Sequence, residues 1–179
     1  HVFLTGATGF IGLRLARLHA QAGDRLRCMV RHTRSPASVE LESLGAELIP
    51  GDLIDDVALE HGFRNADLAF HLAAVYDIGV VNAGALENTN VDGTRNFIRM
   101  LERANVRGVH VSSTAALGPV ASGEGDETSS YTGPYPSIYH RTKTHAHRIA
   151  REAQERGAPL IIACPANVYG PGDEGPHGR

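Results

Sequence analysis

The chain has 179 residues, 42% of them hydrophobic and 21% charged, with a formal net charge of -3; that allows one domain with a real core and excludes a disordered composition. The weak negative balance argues against nucleic-acid binding, which needs a marked Lys/Arg excess. No apolar run approaches the roughly 20 residues of a membrane-spanning helix and no signal-peptide pattern stands at the start, so the expected address is the cytoplasm.

Short apolar segments read as buried strands at residues 2–5 (VFLT), 25–30 (RLRCMV), 46–49 (AELI), 67–72 (DLAFHL), 108–113 (GVHVSS) and 159–164 (PLIIAC). Between them lie helical patterns. The first carries Ile11, Leu15 and Leu18, and two short ones cover residues 38–44 and 55–63. A long fourth runs over 86–101 and a fifth over 139–155. Six alternations of strand and helix predict an α/β domain: a doubly wound Rossmann-type parallel sheet of order 3-2-1-4-5-6, with helices on both faces. Residues 118–136 (GPVASGEGDETSSYTGPYP) are long, acidic and rich in Gly, Ser and Pro, which predicts a surface loop able to act as a lid.

Cys28 and Cys164 fall on the second and sixth strands, four strand spacings or about 19 Å apart, so a disulfide is not expected. Among ten histidines, His140, His145 and His147 cluster, but without HExxH or Cys/His spacing they do not predict a metal site. His1 in place of a methionine and the loop-like GPGDEGPHGR ending read as cut ends.

The first strand runs straight into TGATGFIG, which opens the first helix and places glycines at 6, 9 and 12. Gly6 allows a sharp turn, Gly9 leaves room for a pyrophosphate and Gly12 lets helix and strand approach closely. The free N–H groups of the helix N-terminus then face the anion. An NAD site usually ends its second strand with a carboxylate for the ribose; here Val30 stands there, followed by Arg31 and Arg34. Guanidinium groups can hold a 2′-phosphate, so NADP(H) is the expected preference with NAD(H) possible. The alternative is that both arginines are ordinary solvated loop residues.

In YHRTK, Tyr139 and Lys143 lie one helical turn apart and can share a face. Taken alone, the pair also fits two solvated side chains. An ammonium about 4 Å from the phenol at an effective dielectric of about 20 is worth roughly 4 kcal/mol, enough to lower the phenol by about 3 pKa units.

The glycine spacing, YHRTK and the segments between them resemble the extended short-chain dehydrogenase/reductase family, also called the NAD-dependent epimerase/dehydratase family. GDL at 51–53, HLAA at 71–74, NVDGT at 90–94, VSSTAALG at 111–118 and PANVYGPGD at 165–173 occur in the family's order, so the resemblance covers nearly the whole chain. It implies Tyr139 as acid/base, Lys143 as its activator and Ser113 as the hydroxyl polarising the carbonyl, with Ser112 and Thr114 as neighbours to which the serine role could shift. Cofactor contacts are implied for Gly6, Thr8, Gly9, Phe10, Ile11, Gly12, Arg31, Arg34, Asp52, Leu53, Leu72, Ala73, Ala74, Tyr139, Lys143 and Pro165. Substrate contacts are implied for Ser113, Asn90 and Asn167, the two asparagines either touching substrate or supporting the active site, and a homodimer is implied through the two long helices.

Thr114, Ala115 and Ala116 stand where sugar 4,6-dehydratases carry an Asp-Glu pair, which turns the resemblance away from dehydratases. Leu117 replaces a tyrosine frequent in epimerases, so SSTAALG resembles the dihydroflavonol-reductase-like and hopanoid-associated epimerase-like branch. The expected organisation is a dinucleotide-binding domain over residues 1–164 and the start of a substrate region, largely absent, at 165–179. The expected activity is hydride transfer between nicotinamide and a small carbonyl or alcohol. Nucleotide-sugar epimerisation is the close alternative and a non-catalytic dinucleotide sensor or scaffold the distant one.

Overall fold

The computed structural model describes residues 1–76, 82–119 and 123–173. Six strands, β1 (Val2–Thr5), β2 (Leu26–Val30), β3 (Glu47–Pro50), β4 (Leu68–His71), β5 (Arg107–Val111) and β6 (Leu160–Ala163), form one sheet in the order β3-β2-β1-β4-β5-β6. Every pairing is parallel. The helices are α1 (Phe10–Gln21), α2 (Pro36–Ser43), α3 (Asp56–Phe63), α4 (Ala83–Leu86), α5 (Gly93–Ala104) and α6 (Ile138–Glu155). Class and strand order are those expected from the alternation.

Period-two alternation in the strands splits the core into two layers. Val2 and Leu4 join Cys28, Val30, Ala16 of α1 and Leu41 of α2 on one face. On the other, Phe3 joins Met29, Ala69, Phe63 of α3 and Phe97 of α5. The Phe3 ring lies 5.2 Å from Phe63 and 6.3 Å from Phe97, fixing α3 and α5 over the middle of the sheet. Side chains start most of the helices: Ser35 accepts from the Ser38 amide, Asp55 from Val57 and Ala58, and Ser137 from His140. Helix α1 starts at Gly9 without a side-chain cap, so its first amides stay available.

Three local features differ from expectation. The long fourth helix starts at Ala83, and between α4 and α5 it widens into a π-helical stretch, Glu87–Asp92, that turns Asn90 inward. β5 stops at Val111, because Ser112 and Ser113 leave the sheet and Ser113 caps the short turn Thr114–Ala116. The 118–136 loop is not wholly on the surface: Tyr131 is only 6% exposed, packs on Gly118 and accepts a hydrogen bond at its carbonyl from Arg148. Residues 120–122 of that loop and 174–179 of the final segment lie outside the described residues. Both cysteines are free.

Candidate active site

The parallel sheet delivers β1, β4, β5 and β6 to one edge, and the site is built where they end. At β1, Gly6 has φ +73 and its missing Cβ would lie 2.5 Å from the Ala73 amide, so only glycine lets the turn touch the chain leaving β4. A Cβ on Gly12 would fall 2.2 Å from the Gly6 carbonyl, whereas one on Gly9 would meet nothing closer than that carbonyl at 3.3 Å. The space above Gly9 opens into two cavities. A bare turn, uncapped amides and open space fit a dinucleotide pyrophosphate.

The smaller cavity, of about 220 Å³, is the floor between the ends of β1, β2 and β4. Thr8, Arg31, Asp52, Leu53, Ala73 and Thr89 are among its walls. Asp52 accepts the Leu53 amide at 2.6 Å, which fixes the carboxylate at the cavity edge. Among the described residues Arg31 makes no ion pair, and Arg34 is exposed and lines neither cavity. The expected arginine pair therefore reduces to one guanidinium at the wall. Thr89 carried no sequence signal; it arrives there through the π-helical stretch.

The larger cavity, of about 850 Å³, joins the glycine turn to Ser113, Tyr139, Lys143, Pro165 and Asn167. Phe10, Ile11 and Leu72 also line it, and Ala74 faces both cavities. Ser113 lies close enough to Tyr139 to act on its phenol, and both side chains line this cavity. Ser112 is engaged elsewhere, with His147 Nδ1 at 2.9 Å, so of the two serines it is Ser113 that meets the phenol.

Lys143 is 4% exposed, and its Nζ donates to the Val111 carbonyl at 3.0 Å. Burial lowers its ammonium to about 8. Burial also pushes the Tyr139 phenol up, the neighbouring Ser113 hydroxyl opposing it and Tyr76 adding to it. The expected lowering of the phenol by Lys143 is thus corrected for this state: the ammonium points into the protein at Val111, and desolvation dominates at the tyrosine.

Of the two roles implied for Asn90, its contacts fit support. It is 2% exposed and lines neither cavity. Its amide binds the Val75 backbone twice and Thr142 Oγ1 once, joining the loop after β4 to α6. It supports the site rather than facing it.

Beneath the cavity, Thr94 Oγ1 donates to the Asn90 carbonyl at 2.7 Å and so accepts from His71 Nε2 at 3.0 Å. Burial keeps the His71 ring neutral, so its Nδ1 accepts from Thr5 at 2.8 Å. Sequence reasoning missed this network, and it missed Tyr76, whose ring packs T-shaped with that of Tyr139, at 4.8 Å and 84°. Among the described residues no group of three or more His, Cys, Asp or Glu is placed to hold a metal, and no helix is long and apolar enough to cross a membrane.

A doubly wound sheet with a glycine turn at its switch edge defines a dinucleotide-binding α/β protein. The family model described as the NAD dependent epimerase/dehydratase family matches residues 2–179, and the chain belongs to that family. A Synechocystis protein named for dihydroflavonol 4-reductase is 34% identical over 175 residues, covering 96% of this chain and 50% of the relative. A ceramide reductase of Caulobacter vibrioides is also 34% identical, over 96% of this chain and 47% of its own. The crystal structure of gox2253 superposes with a TM-score of 0.79 at 35% identity, covering 92% of this chain and 50% of that one. MoeE5 in complex with UDP-glucuronic acid and NAD gives 0.74 at 26% identity, over 94% and 54%. The chain spans about half the length of the curated relatives it matches.

Proposed function

We propose that the chain is the dinucleotide-binding and catalytic part of an NAD(P)-dependent oxidoreductase that interconverts a carbonyl and an alcohol, with Tyr139 as the acid/base. The observation that carries this reading is that Ser113, Tyr139 and Lys143 come together on the wall of one cavity that begins at the glycine turn. The α1 amides and Gly9 hold the pyrophosphate, Asp52 and Leu53 the adenosine, and Leu72, Ala73, Ala74 and Pro165 the remaining length. Arg31 takes a 2′-phosphate, which favours NADP(H). When bound, the cofactor supplies or accepts the hydride.

Tyr139, kept protonated by burial, delivers its phenolic proton to the substrate oxygen during reduction. Ser113 donates a hydrogen bond to that oxygen and steadies its developing charge. Lys143 lines the same cavity and ties α6 to the end of β5 through the Val111 carbonyl, and Asn167, also on the wall, contacts substrate. A homodimer through α5 and α6 belongs to the same reading, as does a cytoplasmic address, which suits two free thiols.

Epimerisation of a nucleotide sugar is the second reading, favoured by the likeness to MoeE5. Parallel titrations with NADPH and NADH, followed by nicotinamide fluorescence, test the cofactor, with Arg31→Ala expected to erase any preference for NADPH. Tyr139→Phe should keep the cofactor affinity and lose nearly all turnover. An undiminished rate in that variant would remove the mechanism.

A further inference from the structure

We propose that Tyr76 is a substrate-contacting, specificity-determining residue that selects an uncharged carbonyl compound with a flat apolar body. The inference rests on the proposed reduction at Tyr139. The Tyr76 ring is 42% exposed and lines the larger cavity, standing at 84° to Tyr139 with centroids 4.8 Å apart. The two rings form a corner: a planar group stacked on Tyr76 presents its edge, and a carbonyl on that edge, to the Tyr139 phenol.

The corner is rigid for a reason visible in the backbone. Val75, the residue before Tyr76, is held at both its N–H and its C=O by Asn90, at 2.7 and 3.1 Å. The third hydrogen bond of Asn90 goes to Thr142, beside Lys143 on α6. Tyr76 and Tyr139 are therefore tied to one buried amide, which the π-helical stretch turns inward.

The rest of the cavity has the same character. Tyr131, Pro119, Pro136 and Val168 give it apolar surface. Among its described lining residues there is no arginine, and its lysine, Lys143, donates to the Val111 carbonyl. His140 on the wall is paired with Ser137 at 2.8 Å, and Asp173 adds a carboxylate. A diphosphate needs convergent cations, which the described lining residues do not supply, whereas a neutral ketone needs only the Ser113 and Tyr139 donors.

The test compares 2-acetonaphthone and cyclohexanone with NADPH, and UDP-glucose with NADP+ and NAD+, as substrates for the purified chain in the native sequence, Tyr76→Phe and Tyr76→Ala. Turnover of 2-acetonaphthone is expected at about tenfold higher kcat/KM than of cyclohexanone, the size of one stacking contact. Tyr76→Ala should raise the KM for 2-acetonaphthone about tenfold with kcat changed less, and Tyr76→Phe should retain the native KM to within about threefold. NADPH affinity should be the same in all three proteins, which separates a lost contact from a lost fold.

If NADPH binds and UDP-glucose is the better substrate, or 2-acetonaphthone is not turned over, the substrate class is overturned. Equal KM in Tyr76→Ala and the native chain overturns the role of Tyr76. If NADPH does not bind the native chain, the oxidoreductase reading beneath both fails instead.

Discussion

Asn90 grips the Val75 peptide from both sides, its Oδ1 accepting the Val75 N–H at 2.7 Å and its Nδ2 donating to the Val75 carbonyl at 3.1 Å. With Thr142 as third partner, one buried side chain couples the loop after β4 to α6. Asn90→Ala leaves three polar groups without their partner and should cost about 2–4 kcal/mol. Urea denaturation measures this directly, and a loss under about 1 kcal/mol would show that water replaces the amide at no penalty.

The glycine turn predicts two different failures. A methyl on Gly12 would fall 2.2 Å from the Gly6 carbonyl, so Gly12→Ala must displace α1 from β1 and should cost about 3 kcal/mol or more. Gly9 has ordinary extended φ and ψ, and its missing Cβ would meet only the Gly6 carbonyl, at 3.3 Å, a contact that a shift of a few tenths of an ångström relieves. Gly9→Ala should therefore keep its stability to within about 1 kcal/mol and lose NADPH affinity by about tenfold or more. Thermal melts and fluorescence titrations of both variants separate the cases; unchanged affinity in Gly9→Ala would place the pyrophosphate elsewhere.

Lys143 gives stability a dependence on alkaline pH. Its folded ammonium is lowered by burial to about 8, against about 10.4 in an unfolded chain. Between these values the unfolded chain binds the extra proton, so stability rises with pH; the burial penalty is complete below the lower value and relieved above the higher. Relative to Lys143→Met, the native chain should gain about 3 kcal/mol across that window. Chemical denaturation at neutral and alkaline pH reads the difference, and a flat difference would mean that the ammonium is better solvated than its 4% exposure implies.

Acid should act through the buried histidines. Burial lowers His71 to about 3 and His110 well below the ordinary range, and their rings stack at 5.3 Å. The unfolded chain takes up these protons first, so stability present above about pH 6.5 is lost as pH falls toward the folded values. Both ring nitrogens of His110 lack a hydrogen-bond partner among the described residues, so His110→Phe should cost little at neutral pH. It should also flatten the acid slope by about 1.4 kcal/mol per pH unit. Denaturation curves at pH 7 and about pH 5 test this, and parallel loss in both proteins would sink it.

The sequence by itself determined the sheet order, the glycine turn and the shared face of Tyr139 and Lys143, because these follow from local pattern: apolar alternation, glycine spacing and the helical repeat. Asp52, Leu53 and the HLAA residues were placed at the cofactor by the resemblance to the family. Tertiary structure decided what those side chains meet. Only folding brought Ser113 rather than Ser112 to the phenol, sent the Lys143 ammonium to Val111, buried Asn90 behind the site and set Tyr76 against Tyr139. Each of these joins residues distant in sequence, and whether a phenol rises or falls depends on how much water packing removes, a quantity that no spacing of residues encodes.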